Sequence, residues 1–148
     1  LFDAGTVARA CGEEGAGGWP TQPAPAAGAS RTLLQPISPD ILVADVEGLT
    51  ILEDGAARYL IASSQGDSTF PVWRIDGDEP AYVGRIVVTE GAVDRVTGTD
   101  GLDALGGPVG GFPEGLVVVQ DDVNDRGTQN FKFLDWRDVR AALGLDGR

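Results

Sequence analysis

The 148-residue sequence contains no histidine, one cysteine and one lysine. Without histidine there is no ready neutral-pH general base, no Ser-His or Cys-His nucleophile pair, and little scope for the usual zinc sites. A lone cysteine, Cys11, excludes an internal disulfide and any cysteine-pair metal site. It reads as an incidental loop thiol and leaves the compartment undetermined. Basic residues are scarce, 11 Lys+Arg against 23 Asp+Glu, for a net charge of −12. Nucleic acids and anionic membranes demand a basic face, so neither is an expected partner. The charge favours cations, or an anionic substrate reached through bound cations. No apolar run approaches bilayer-spanning length, so membrane insertion is not expected. The opening residues, LFDAGTV, carry neither a Met nor the charged and apolar parts of a signal peptide. They read as the inside of a strand and predict a fragment or a processed chain.

At 42% hydrophobic, the chain suffices for one modest domain. Residues 12–40 are rich in Gly, Pro and Ala and lack periodicity, which predicts a long loop or insertion. Trp19 within it reads either as an anchor or as a partly exposed aromatic. From residue 46 the text becomes regular, with β-type runs at Val46–Leu52, Arg58–Ser63, Thr69–Ile75 and Tyr82–Thr89. The turn signals EDG, SQGD and DGDEP separate them. Four short strands joined by tight turns predict an antiparallel meander, the unit of a β-propeller blade, and a β-sandwich would read similarly. Residues 90–114 have almost no periodicity. Strands follow at Leu116–Gln120 and Asn130–Leu134, and DWRDVRAAL closes the chain as a short helix capped by Asp135, with Asp138 near its positive end. The second half thus reads as a less complete blade.

Asp45 and Glu47 stand one residue apart at the entrance of the first β-run. On a strand, such a pair shares a face and repels, unless water screens it or a cation sits between. Calcium takes six to eight hard oxygen ligands, usually from loops. Two regions supply candidates: Asp94 with Asp121, Asp122, Asn124 and Asp125, and Asp45 with Glu47 and Asp100. Neither matches an EF-hand loop, and Asp, Asn and Gly are also common turn residues. Asp103 reads as a turn or capping residue. SSQG (63–66) lacks the Gly-x-Ser-x-Gly arrangement and reads as a strand end with a tight turn, and GGPVGG lacks the spacing of a phosphate-binding loop.

The segments DVEGLTI, YLIASSQGDS, TGTDGLD, FPEGLVVVQD and QNFKFLDW, in this order and spacing, resemble the β-propeller phytases over about residues 44–140. That family consists of calcium-dependent enzymes that remove phosphate from inositol hexakisphosphate. The resemblance implies an all-β fold: four-stranded antiparallel blades of a six-bladed propeller, here a partial ring with a short C-terminal helix. It divides the chain into the end of a preceding blade (1–11), an inserted loop (12–40), a blade (41–90), and a last blade with the helix (91–148). It matches Asp45, Glu47 and Asp100 to the catalytic calcium cluster, and Asp94, Asp121 and Asn124 to a structural calcium. Val123 stands where the family pattern has an acid. Val offers no side-chain oxygen, which implies weaker calcium there or recourse to Asp122 or Asp125.

The mechanism so implied is metal-assisted attack of water on phosphorus, in keeping with a chain that has no histidine. The implied partners are phytate or other inositol phosphates and the remainder of the propeller. The implied location is secreted or periplasmic. The family's phosphate-holding Lys, Arg and Tyr lie in segments that this chain does not contain. Lys132, in NFKF, is expected to face solvent, and Arg58, Arg74, Arg85 and Arg95 are assigned no phosphate. The alternatives are a non-catalytic, calcium-stabilised propeller segment acting as an interaction module, and another calcium-using propeller hydrolase such as a lactonase.

Overall fold

A computed structural model describes residues 33–124 and 127–146. The readings of residues 1–32, Cys11 and Trp19 among them, and of Asp125 lie outside the described residues. All elements belong to one compact unit, Gln35–Arg148.

The chain forms two antiparallel meanders. The first sheet contains β1 (Leu49–Asp54), β2 (Ala57–Ala62), β3 (Phe70–Arg74) and β4 (Ala81–Ile86) in the order β1-β2-β3-β4. Short connections set this order. β1 and β2 close with Asp54 opposite Ala57, and Gly55 in the turn takes a positive φ of 61° that a side chain would resist. SSQG behaves as a strand end and a tight turn, with a 3-10 turn at Gln65–Asp67. The second sheet contains β5 (Leu102–Gly106), β6 (Gly115–Asp121) and β7 (Asn130–Asp135), with β6 in the centre. GGPVGG runs from the last residue of β5 into the β5–β6 connection, where Val109 pairs with Phe112. A short helix, α1 (Trp136–Ala142), follows β7 directly. Asp135 is its N-cap, its side chain accepting from the Arg137 amide at 2.9 Å, and Asp138 lies in its first turn.

One core lies between the sheets. Leu52, Tyr59, Ile61, Phe70, Val72 and Ile86 face it from the first sheet, Val117 and Val119 from β6, and Trp136 and Val139 from the helix. Trp136 is fully buried, its ring 5.4 Å from Tyr59 and its Nε1 donating to Asp54 Oδ2 at 2.9 Å. Burying each such side chain contributes about 1.5–3 kcal/mol. The helix therefore fastens the second sheet to the first hairpin.

Three expectations need correction. The run at Val46–Leu52 starts later, at Leu49, so Asp45 and Glu47 lie in the loop before β1 and strand periodicity does not decide where they point. The stretch 90–114 contains β5, and Asp103 is a strand residue of β5 rather than a turn or cap. Lys132 does not face solvent: it is 5% exposed, while its neighbours Phe131 and Phe133 are 62% and 60% exposed.

Candidate active site

β1 and β5, the first strand of each sheet, lie side by side and run in the same direction. Gly48 sits against Leu102, Thr50 Oγ1 donates to Asp103 Oδ1 at 2.9 Å, and Gly106 sits against Glu53. A Cβ on Gly48 would lie 2.7 Å from Leu102 Cδ2 and 2.9 Å from the Leu102 amide nitrogen, and one on Gly106 would overlap the Glu53 carbonyl oxygen. Glycine at both positions lets the two backbones approach. The loops entering these strands, Glu47-Gly48-Leu49 and Asp100-Gly101-Leu102, therefore meet at one end of the sheet pair.

Each loop is pinned by a residue at the end of the second strand of its own sheet, Ser63 just after β2 and Gln120 one residue before the end of β6. Ser63 Oγ accepts from the Glu47 amide at 2.9 Å and the Gly48 amide at 2.8 Å, and Ser63 N donates to Gly48 O at 2.9 Å. In the second sheet, Gln120 Oε1 accepts from the Asp100 amide at 2.8 Å and Gln120 N donates to Gly101 O at 3.0 Å. The next residue repeats the device. Ser64 Oγ accepts from Val43 N at 2.8 Å, and Asp121 Oδ1 accepts from Thr97 N at 2.9 Å. Gln65 then joins the two halves: its amide donates to Asp45 O at 3.0 Å and its Nε2 donates to Asp100 Oδ1 at 2.5 Å. Asp45, Glu47 and Asp100 are thus brought to one neighbourhood. Ser63, Gln65 and Gln120 hold them there, and sequence reading missed all three. The acid-Gly-Leu triplets at 47–49 and 100–102 stand at equivalent positions before the first strand of each sheet, but the triplet also recurs at 114–116 where β6 begins, so by itself it does not single out these anchors.

The Asp45 and Glu47 side chains are exposed and have no basic partner among the described residues. Thr99 Oγ1, just before Asp100, is buried with no hydrogen-bond partner, the state that a bound cation or water relieves. The donor chemistry here, hard oxygen throughout, fits a hard divalent cation. Among the described residues, no three acidic side chains gather about one ion position. These residues would supply only part of the shell of such an ion.

The second candidate group also comes together, but about a different cation. Lys132 Nζ lies 2.6 Å from Asp94 Oδ1, 2.8 Å from Asn124 Oδ1, 3.0 Å from Asp121 Oδ2 and 3.1 Å from Asn130 Oδ1. Asp121 is fully buried. Burial works against the ammonium, but the carboxylates of Asp94 and Asp121 outweigh it and hold the lysine above its ordinary pKa. Asp122, the fallback ligand, is exposed, and its carboxylate accepts from Gln129. As placed, this group has the oxygens of a cation site and holds the chain's own cation.

Among the basic residues left unassigned, Arg58 pairs with Glu53, Arg74 with Asp76 and Arg85 with Asp67. Among the described residues, no helix is long and apolar enough to cross a membrane.

Comparison with known proteins agrees with this picture. A sequence model of the family described as phytase matches residues 5–147. A 3-phytase of Bacillus subtilis (strain 168) is 35% identical over 133 residues, which covers 85% of this chain and 35% of that protein. The chain thus spans about a third of the length of that curated relative. Two sheets built on one repeated plan, with paired acidic loops at one end and a match over nearly the whole sequence, lead to one conclusion: this chain belongs to the phytase family.

Proposed function

We propose that the chain contributes two adjacent blades of a six-bladed propeller and part of a calcium-dependent site that hydrolyses phytate or related inositol phosphates. The observation that carries this reading is the meeting of Asp45, Glu47 and Asp100 at one end of the parallel pair β1 and β5 in a member of the phytase family. The name 3-phytase belongs to the relative. It extends to this chain as the proposed substrate class.

In this reading Asp45, Glu47 and Asp100 hold calcium, which when bound neutralises phosphate oxygens and acidifies a water for attack on phosphorus. The chain's own residues supply position. Ser63 and Gln120 fix the backbone under Glu47 and Asp100, and Gln65 sets the distance between the two loops. No His or protein nucleophile is needed, in keeping with the composition. Further ligands and the phosphate-holding basic residues come from the remaining blades. The apolar outer faces of both sheets support that partnership. Leu49 and Ile51 of β1 are exposed on one side, and Leu105, Phe131 and Phe133 are exposed on the other. Calcium dependence of this kind suits a secreted or periplasmic protein, because extracellular calcium is abundant enough to fill weak sites.

The test supplies the chain with the remaining propeller portion, joined or mixed, and measures phosphate release from calcium phytate. Release is expected to need calcium and to fall by about 10²-fold or more in Glu47→Ala. An assembled protein that releases no phosphate would overturn the reading and leave the acidic loops with a purely structural role.

A further inference from the structure

We propose that the resident cation of the Asp94–Asp121–Asn124 cage is Lys132, and that this site closes without calcium. Three observations bear on it independently of any activity. The first is stoichiometry. An ammonium has three protons, and Lys132 makes three hydrogen bonds, to Asp94, Asn124 and Asn130. The fourth oxygen, Asp121 Oδ2, lies 3.0 Å from Nζ as an ion pair, and it is the one oxygen of the cage that is buried without a hydrogen bond. Its partner oxygen, Oδ1, is already taken by the Thr97 amide. The cage is therefore filled to the capacity of one ammonium.

The second observation is size. The four oxygens stand 2.6 to 3.1 Å from Nζ, which is hydrogen-bond spacing. Calcium requires six to eight oxygens at roughly 2.3–2.6 Å. Contracting the shell around calcium would mean expelling Lys132, whose backbone is fixed opposite Val119 by the β6–β7 ladder. The third is the donor set. Val123 sits in the loop that carries Asp121 and Asn124, 65% exposed and with no side-chain oxygen to offer. Access is not what excludes calcium, since a cavity of about 390 Å³ lined by Glu90, Val93, Asp94, Asn124 and Asn130 opens onto the same residues. What excludes it is prior occupancy.

Lys132 also explains the inverted face of β7. Along NFKF the two Phe side chains point outward and the lysine inward. A buried carboxylate such as Asp121 requires a paired cation, and Lys132 is the residue in register to supply one. The inference goes beyond phytate hydrolysis and holds or fails without it.

The test exploits the single lysine. Growing the chain with ¹⁵N-lysine labels one side chain, so its Nζ signal needs no assignment. The expected spectrum is one slowly exchanging ammonium at the same position in chelator and in millimolar calcium. A signal that moves or becomes fast-exchanging when calcium is added would overturn the proposal, as would a fast-exchanging signal under both conditions. Hydrogen exchange at the Thr97 amide gives a second reading. Its protection is expected to be the same with and without calcium in the native chain, and to fall at least ~10-fold in Lys132→Met. Protection that rises with calcium in the native chain, or that is unchanged in a folded Lys132→Met, would sink it. If the variant does not fold, the native ammonium signal decides.

Discussion

Ser63 and Gln120 do the same task with different chemistry, and the difference can be measured. Ser63 gives one hydroxyl oxygen to two amides, those of Glu47 and Gly48, and Gln120 gives one carbonyl to the Asp100 amide. Ser63 is fully buried, so Ser63→Ala leaves two backbone donors without their acceptor. The expected cost is about 1–3 kcal/mol in urea unfolding. The same variant, in the assembled protein, should raise the calcium concentration needed for phosphate release, because the Glu47 loop loses its anchor. Unchanged stability would show that water reaches these amides and that Ser63 does not hold the loop. The acids themselves stand out in the sequence as carboxylates clustered in Gly-rich loops. Their anchors do not, because Ser and Gln at strand ends also read as turn residues. Lys132 was misread for a related reason. Alternation in NFKF fixes which residues share a face, but not which face is inside, and contacts distant in sequence decide that: the core against Leu134, and Asp94 and Asp121 around Lys132.

Among the described residues, six of the seven strands are legible from β-type runs and turn signals, with boundaries displaced by a few residues. β5 is not. Its residues, LDALG, have only two large apolar side chains and lie in a Gly- and Asp-rich stretch. β5 exists because β6 pairs with one edge and β1 packs beside it, support that no local window contains. Gly106 is the point of closest approach to β1, so Gly106→Ala drives a methyl into the Glu53 carbonyl. Overpacking of this kind costs about 1–3 kcal/mol. A lower urea midpoint with faster amide exchange in both β1 and β5 would confirm it, and loss confined to β5 would show that the contact is not shared. The first sheet carries a pH-sensitive clamp as well. Asp76 accepts from the Arg58 amide at 3.2 Å and pairs with Arg74 at 2.8 Å, tying the start of β2 to the end of β3. The Arg74 hydrogen bond and then the Arg58 amide lower its pKa to about 2. A depressed carboxylate pKa favours the folded state above the unfolded value, and this contribution fades as pH falls from about 4 through 2. Asp76→Asn should flatten the acid limb of the stability profile in that window, and an unaltered limb would assign the acid sensitivity to other carboxylates.

At the scale of the whole molecule, the two sheets satisfy each other on their inner faces and leave both outer faces apolar. Leu49 and Ile51 mark one flank, and Leu105, Phe131 and Phe133 mark the other. A face of this kind is what a neighbouring blade would cover. Supplied alone, the chain should therefore associate with itself. Each buried Leu, Ile or Phe offers about 1.5–3 kcal/mol, while association costs about 4–15 kcal/mol in lost freedom, so the affinity should be weak, roughly micromolar to millimolar. Because the flanks differ, contact is head-to-tail rather than a two-fold pair, and it builds either a ring or an open chain of copies according to the rotation between them. The net charge of −12 opposes contact between copies. Salt screens that repulsion beyond about 10 Å at 0.1 M. Sedimentation should then show association that strengthens with salt, weakens in Phe133→Lys, and gives way to a defined assembly when the remaining propeller portion is supplied. Association that weakened with salt would mean that charge drives it, and a monomer at every concentration and salt level would show that these flanks need no cover, removing the structural support for the missing blades.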